Sequence, residues 1–229
     1  MRIAYCFSGY LRRFWDNPTL LEHIINRAPG DLFVHTWATL NYAGPTWHGD
    51  SGLSTFPVDD CVIEKLQRQY GKPLQLEVEH PPQFPEHLMP VAQARYSSMK
   101  ANDMKSIQER KAGAKYDVTL NLRFDLTLHE PFSFPDLIES DVLYCLANQN
   151  CVSQKLCCDI LNFGSSQTMD KINSIFNGLM AGKVTETSGS YGERLLTKWC
   201  EFNRIPFRYI AVRSSILRSD GSLLEIPVS

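Results

Sequence analysis

No stretch of this sequence reaches the roughly 18 consecutive apolar residues of a membrane-spanning helix, so none is expected. A basic surplus is missing too: 23 Lys and Arg stand against 25 Asp and Glu, a formal net charge of −2. Nucleic-acid binders usually carry such a surplus, and nucleic acid is not expected as a partner. No Cys-x-x-Cys pair occurs among Cys6, Cys61, Cys145, Cys151, Cys157, Cys158 and Cys200, so the spacing of common zinc sites is absent. The cysteine count is odd and several lie in strand-like apolar runs, which points to buried free thiols in a reducing compartment. One disulfide among Cys145, Cys151 and the Cys157–Cys158 pair is the alternative. The opening MRIAYCF lacks the long apolar region and cleavage site of a secretory signal. A cytoplasmic location is therefore expected. Internal repeats, low-complexity tracts and a Pro- or Gly-rich linker are also absent, so residues 1–229 read as a single domain.

What is present is a globular composition, 43% hydrophobic, in a chain long enough for a sizeable core. Strands are expected at 2–7, 31–35, 74–79, 118–122, 141–146, 158–163 and 207–212. Helices are expected from Asn17-Pro18 to about Pro29, from Asp59 to Tyr70, and from Ser97 or Ser98 to about Ala112. Two more follow Gly164-Ser165-Ser166 and Ser190, the first with Met169, Ile172, Phe176, Leu179 and Met180 on one face. The second buries Tyr191, Leu195, Trp199 and Phe202. Residues 38–58 show no period and read as a long loop, and the tail after Ser214 is weakly patterned. Strand, helix, strand at the start is a βαβ unit, which favours a parallel crossover. The fold class is α/β, a mostly parallel central sheet with helices on both faces.

The most informative segment is Tyr116–Leu128, YDVTLNLRFDLTL. Val118 to Leu122 reads as a buried strand, and Arg123 and Asp125 stand where it leaves the sheet. In open α/β sheets ligands bind outside the carboxyl ends of the strands. A cation and a carboxylate there are placed to meet a phosphorylated ligand; the plainer reading is that they pair with each other to finish the strand.

The run from Asp117-Val118 to Arg123-Phe124-Asp125 resembles the strand and D-x-D motif of GT-A glycosyltransferases. The order of CFSGYLR, FVHTW, CCDILNFGSS and SYGERLLTKW is similar to a group of small glycosyltransferases with R-x-D in place of D-x-D. The resemblance implies a GT-A-like, Rossmann-like domain that binds a nucleotide-sugar donor, with a place in polysaccharide biosynthesis. It implies that Asp125 is the motif's metal-binding acid and that Arg123 replaces the other. Mn²⁺ or Mg²⁺ is then expected in a weak or dispensable role, because arginine supplies permanent charge and planar donors to a phosphate.

Other candidates follow from position. Ser8, Gly9 and Arg12 form a polar turn after the first strand, suited to a nucleotide or merely an ordinary turn. His35 and Trp37 close the second strand, where they could bind or stack on a nucleoside or belong to the core. Lys100 and Ser98 are placed in the first turn of the third helix: the lysine opposes the helix dipole and hints at an anionic partner, and the serine reads as a cap. Asp159 in an apolar strand and Glu193 opening the last helix are the two candidate acceptor-side acids. Glu193 also completes a capping box with Ser190. The function expected is transfer of a sugar from a nucleotide-diphosphate sugar to a hydroxyl acceptor such as a glycan. The alternatives are a non-catalytic nucleotide- or glycan-binding protein and a sugar nucleotidyltransferase.

Overall fold

Alternation within the first strand, β1 (Ile3–Gly9), sets up two packed faces. Tyr5 and Phe7 join a large apolar cluster that includes Phe14, Leu20, Leu66 and Tyr70, while Ala4 and Cys6 join a smaller one with Phe33, Ala101, Met104 and Tyr116. Both sets are buried, and each large side chain removed from water contributes roughly 1.5–3 kcal/mol. The structure, a computed structural model, describes residues 1–41, 55–85, 88–135, 137–184, 192–218 and 221–227.

The chain continues through β2 (Asp31–Trp37), α1 (Asp60–Tyr70), β3 (Gln75–Glu79), α2 (Met89–Ala112), β4 (Val118–Leu122) and β5 (Leu126–Leu128). It then forms β6 (Leu143–Leu146), α3 (Gln149–Gln154), β7 (Asn162–Gly164), α4 (Ser166–Asn173), α5 (Ile175–Met180) and α6 (Gly192–Phe202). The last strands are β8 (Phe207–Ile210), β9 (Ser214–Leu217) and β10 (Leu223–Ile226). A seven-stranded sheet runs β3-β2-β1-β4-β7-β6-β8. β3, β2, β1 and β4 run parallel to one another, and β7 lies antiparallel between β4 and β6. A second, antiparallel sheet has the order β10-β9-β5. The α/β class with a mostly parallel sheet is as the sequence predicts.

Several expected boundaries move for physical reasons. The helix expected from Asn17 is a single π-helical turn, Leu21–Ile25, preceded by a 3₁₀ turn, Phe14–Asp16. Asn17 closes the 3₁₀ turn, its N–H donating to Phe14 O at 3.0 Å, but its side chain does not cap the π-helical turn: the buried amide donates to the carbonyls of Phe124 and Leu126. α2 starts at Met89 instead of Ser97, because Pro90 is acceptable in a first turn where its missing N–H has no helical partner. Ser98 and Lys100 therefore sit in mid-helix; Ser98 is no cap, and Lys100 does not oppose a helix N-terminus.

The strand expected at 158–163 is confined to Asn162–Gly164. Cys157 donates its N–H to the Thr197 hydroxyl instead of a ladder carbonyl, so the apolar run is buried without being a strand. Asp159 precedes the strand. The long helix after Gly164 breaks at Ser174, whose hydroxyl bonds back to Lys171 O; Ile175 is buried and Met180 exposed. Ser190 and Tyr191 lie outside the described residues, as does most of the 38–58 loop. Phe202 is exposed and stacks on the buried Trp199. The tail after Ser214 is regular, in β9 and β10. Among the described residues no helix is long and apolar enough to cross a membrane. All seven cysteines are free, and Cys61 is exposed, unlike the other six.

Candidate functional site

Strand order reverses between β1 and β4: the chain builds outward through β2 and β3 on one side and β7, β6 and β8 on the other. Such a switch point opens a crevice at the carboxyl ends of the two strands. Two turns reach into it. After β1, Gly9 has φ +100° with open space where a side chain would project, a conformation that favours glycine. Arg12 follows with φ 51°, its N–H donating to Leu40 O at 2.8 Å. After β4, Phe124 is buried against Phe7, ring centroids 5.0 Å apart. Asn17 holds the carbonyls on either side of Asp125, and Leu217 N–H donates to Asp125 O at 2.8 Å.

These anchors bring three charged side chains together. Arg123 donates as a fork to Asp125, Nε to Oδ1 at 2.8 Å and an Nη to Oδ2 at 2.7 Å. Arg12 reaches the same Oδ2 at 2.9 Å. Asp125 is buried, whereas 38% of the Arg123 side chain stays exposed. Burial would raise the Asp125 pKa, but Arg123 and Arg12 hold it below the usual carboxylate value. Desolvation would lower the Arg123 pKa; Asp125, and then Asp159 and Glu193, reverse that. The fork uses one edge of the guanidinium and leaves its other N–H donors for a further partner.

Asp159 and Glu193 thus act on the same guanidinium. Arg95 of α2, also buried, donates to Asp159 Oδ2 at 3.2 Å and to Gly192 O at 2.8 Å. Gly192 leaves the space this needs, since a β-carbon there would lie 2.2 Å from Asp159 Oδ2. Glu193, in the first turn of α6, has its pKa pushed up to about 7 by burial and by the Asp159 charge, with Arg95 and Arg123 opposing.

The remaining predicted residues form a second group beside the first. Ser97 Oγ accepts from Gly9 N–H at 2.7 Å and meets His35 Nδ1 at 2.7 Å; Ser8 Oγ meets Ser98 Oγ at 3.1 Å. His35 is buried with Nε2 at 2.7 Å from Glu79, and burial lowers its pKa. Trp37 is buried against the His35 and Tyr96 rings. Lys100 pairs with Glu77 at 2.6 Å. His35 and Trp37 are thus buried behind the Gly9 turn, His35 between Ser97 and Glu79 and Trp37 against the His35 and Tyr96 rings.

Sequence reasoning missed Arg95 and Ser97. α2 buries polar residues around much of its girth, among them Gln93, Arg95, Ser97, Asn102, Lys105 and Glu109. Tyr96, Met99, Met104 and Ile107 fall in one broad arc by spacing, yet Ile107 is exposed. Hydrophobic periodicity carries no signal for a helix of that kind.

As arranged, Asp125 does not fit a divalent cation. Both its oxygens accept guanidinium N–H groups, and an ion bound there would face two fixed positive charges. Among the described residues, His35, Glu77 and Glu79 bring three ligand atoms within 4.8 Å of one another. Lys100 already neutralises Glu77, and His35 occupies Glu79.

No protein-family model and no curated protein matches the chain. Among solved structures, the chain is similar to a glycosyltransferase involved in the glycosylation of the major capsid of PBCV-1, over 92% of this chain and 82% of that one, with 13% identity and a TM-score of 0.49.

Proposed function

We propose that this chain is a glycosyltransferase that moves a sugar from a nucleotide-diphosphate sugar to a hydroxyl of a glycan or similar acceptor. The observation that carries the reading is a pair of arginines, Arg12 and Arg123, both braced by Asp125 at the carboxyl ends of β1 and β4, with Asp159 and Glu193 near enough to act on the Arg123 guanidinium and the Glu193 pKa pushed up to about 7. Arg123 presents its open edge to the diphosphate, and Arg12 adds charge beside it. Both are held by Asp125 before any ligand arrives, so stabilising the departing diphosphate needs little reorganisation. Ser8 and Gly9 line the nucleotide side. Asp125 serves to aim the two arginines and is given no metal to hold.

Glu193 takes the acceptor hydroxyl proton, the acceptor oxygen bonds to the anomeric carbon, and the bond from that carbon to the diphosphate oxygen breaks. A base with a pKa near the working pH suits this step. Asp159, fixed by Arg95, keeps that pKa high. Direct displacement of this kind inverts the anomeric centre. The test is calorimetric titration with UDP and GDP, with EDTA and with Mn²⁺, followed by a turnover screen of their sugar conjugates. Binding that survives chelation, with diphosphate release in the presence of an acceptor, is expected. Binding without any release would leave a non-catalytic nucleotide-binding protein. Failure of either nucleotide to bind would overturn the proposal.

A further inference from the structure

Behind the acid pair lies a group of thiols that the proposed sugar transfer does not use. Cys145, Cys151, Cys157, Cys158 and Cys200 are all buried and free. Within this group Cys157 Sγ and Cys200 Sγ lie 3.7 Å apart, in direct contact although 43 residues separate them in the chain. A disulfide needs about 2.05 Å, so closing the pair takes a small approach of two sulfurs that already face each other. We propose that Cys157 and Cys200 are an oxidation site, which a peroxide closes to a disulfide tying the 157–159 segment to α6.

The two sulfurs face each other directly, and either could attack first; with Cys157 as the nucleophile, Cys200 is the resolving thiol. The Cys157 thiolate attacks one peroxide oxygen, the O–O bond breaks, and hydroxide leaves, giving a sulfenic acid. The Cys200 sulfur attacks that sulfur and expels the oxygen as water. Two thiols are oxidised and one hydrogen peroxide is reduced to two waters.

The pair is also mechanically joined to the acids. The Thr197 hydroxyl accepts from Cys157 N–H at 2.8 Å and donates to Glu193 O at 2.7 Å. Asp159 is two residues from Cys157, and Glu193 shares α6 with Cys200. A disulfide here fixes the spacing of the two segments that carry the carboxyl groups.

The test uses the whole protein under native conditions. It is exposed to hydrogen peroxide, unfolded with an alkylating reagent, and digested with trypsin. The expected product joins the peptide of residues 156–171 to that of residues 199–204, two hydrogens lighter than their sum, and is lost on reduction. Because 156–171 also holds Cys158, the experiment is repeated on Cys158→Ser, where the link should persist, and on Cys157→Ser, where it should vanish. Exposed Cys61 reports that peroxide has acted. Cys157 and Cys200 both recovered alkylated while Cys61 is oxidised would overturn the proposal. So would a link from Cys200 to Cys158, or a Cys157 oxidised beyond the sulfenic acid in place of the link.

Discussion

At the scale of single residues, the proposed site turns on which charges are fixed and which titrate. Arg123→Ala should weaken UDP or GDP binding by roughly 10- to 100-fold, the worth of a charge-assisted contact of about 1.5–3 kcal/mol. Arg123→Lys should fall between, since it keeps the charge but cannot both grip Asp125 as a fork and present a second edge. Calorimetry on the three proteins checks the order. Asp125→Ala should lower the melting temperature as well as binding, because it leaves Arg12 and Arg123 unbraced around a buried position.

Glu193 gives a signed pH test. Its folded pKa, about 7, lies above that of an ordinary glutamate. Stability from this group is therefore full at low pH and is lost as pH rises through about 7. Glu193→Gln should match wild type near pH 4 and gain on it by roughly 1–3 kcal/mol at pH 8, while turnover falls about 100-fold or more. Melting curves across pH, beside rates, read both effects; parallel curves would mean that Glu193 is not perturbed. Arg123 and Asp125 were legible in the sequence because a charged pair after an apolar strand stands out. The third partner, Arg12, was legible as a candidate in the turn after the first strand, but nothing in its neighbours states that φ 51° would swing it onto Asp125.

At the scale of elements, α6 and the segment before β7 meet through a glycine. Gly192→Ala would drive a methyl group into Asp159 Oδ2 and crowd Arg95. Turnover should fall by about tenfold or more, the scale of a misplaced reacting group, with only a modest change in melting temperature if the loop bearing Asp159 gives way. A variant with unchanged rate would separate Asp159 from the chemistry. Helix starts were the least legible feature. α2 opens at Met89 through a proline-rich stretch, and its polar interior hides the buried face. The apolar residues around Cys157 read as a strand because burial, not pairing, is what hydrophobicity reports.

At the scale of the whole molecule, the parallel core β3-β2-β1-β4 was legible as a run of strands and crossovers, whereas the antiparallel β7 and the β5-β9-β10 sheet were not. Pairing direction depends on residues far apart in the chain, and β10 exposes Leu223 and Leu224 like a loop. Hydrogen exchange should follow the same division: amides of β1 and β4, in mid-sheet with β1 buried on both faces, should exchange most slowly, and those of β10 among the fastest of the strands. Equal protection would mean that the second sheet is as deeply built as the first.

The carboxylate shared between Arg12 and Arg123 has a further consequence. Charge supplied by side chains cannot be stripped by a chelator, but small ions can mask it where it meets water. With 38% of Arg123 exposed and a Debye length of about 8 Å near 0.15 M salt, nucleotide affinity should fall steadily as potassium chloride rises. The ionic strength of the medium, and not the supply of manganese, would then govern how much of the protein carries its donor.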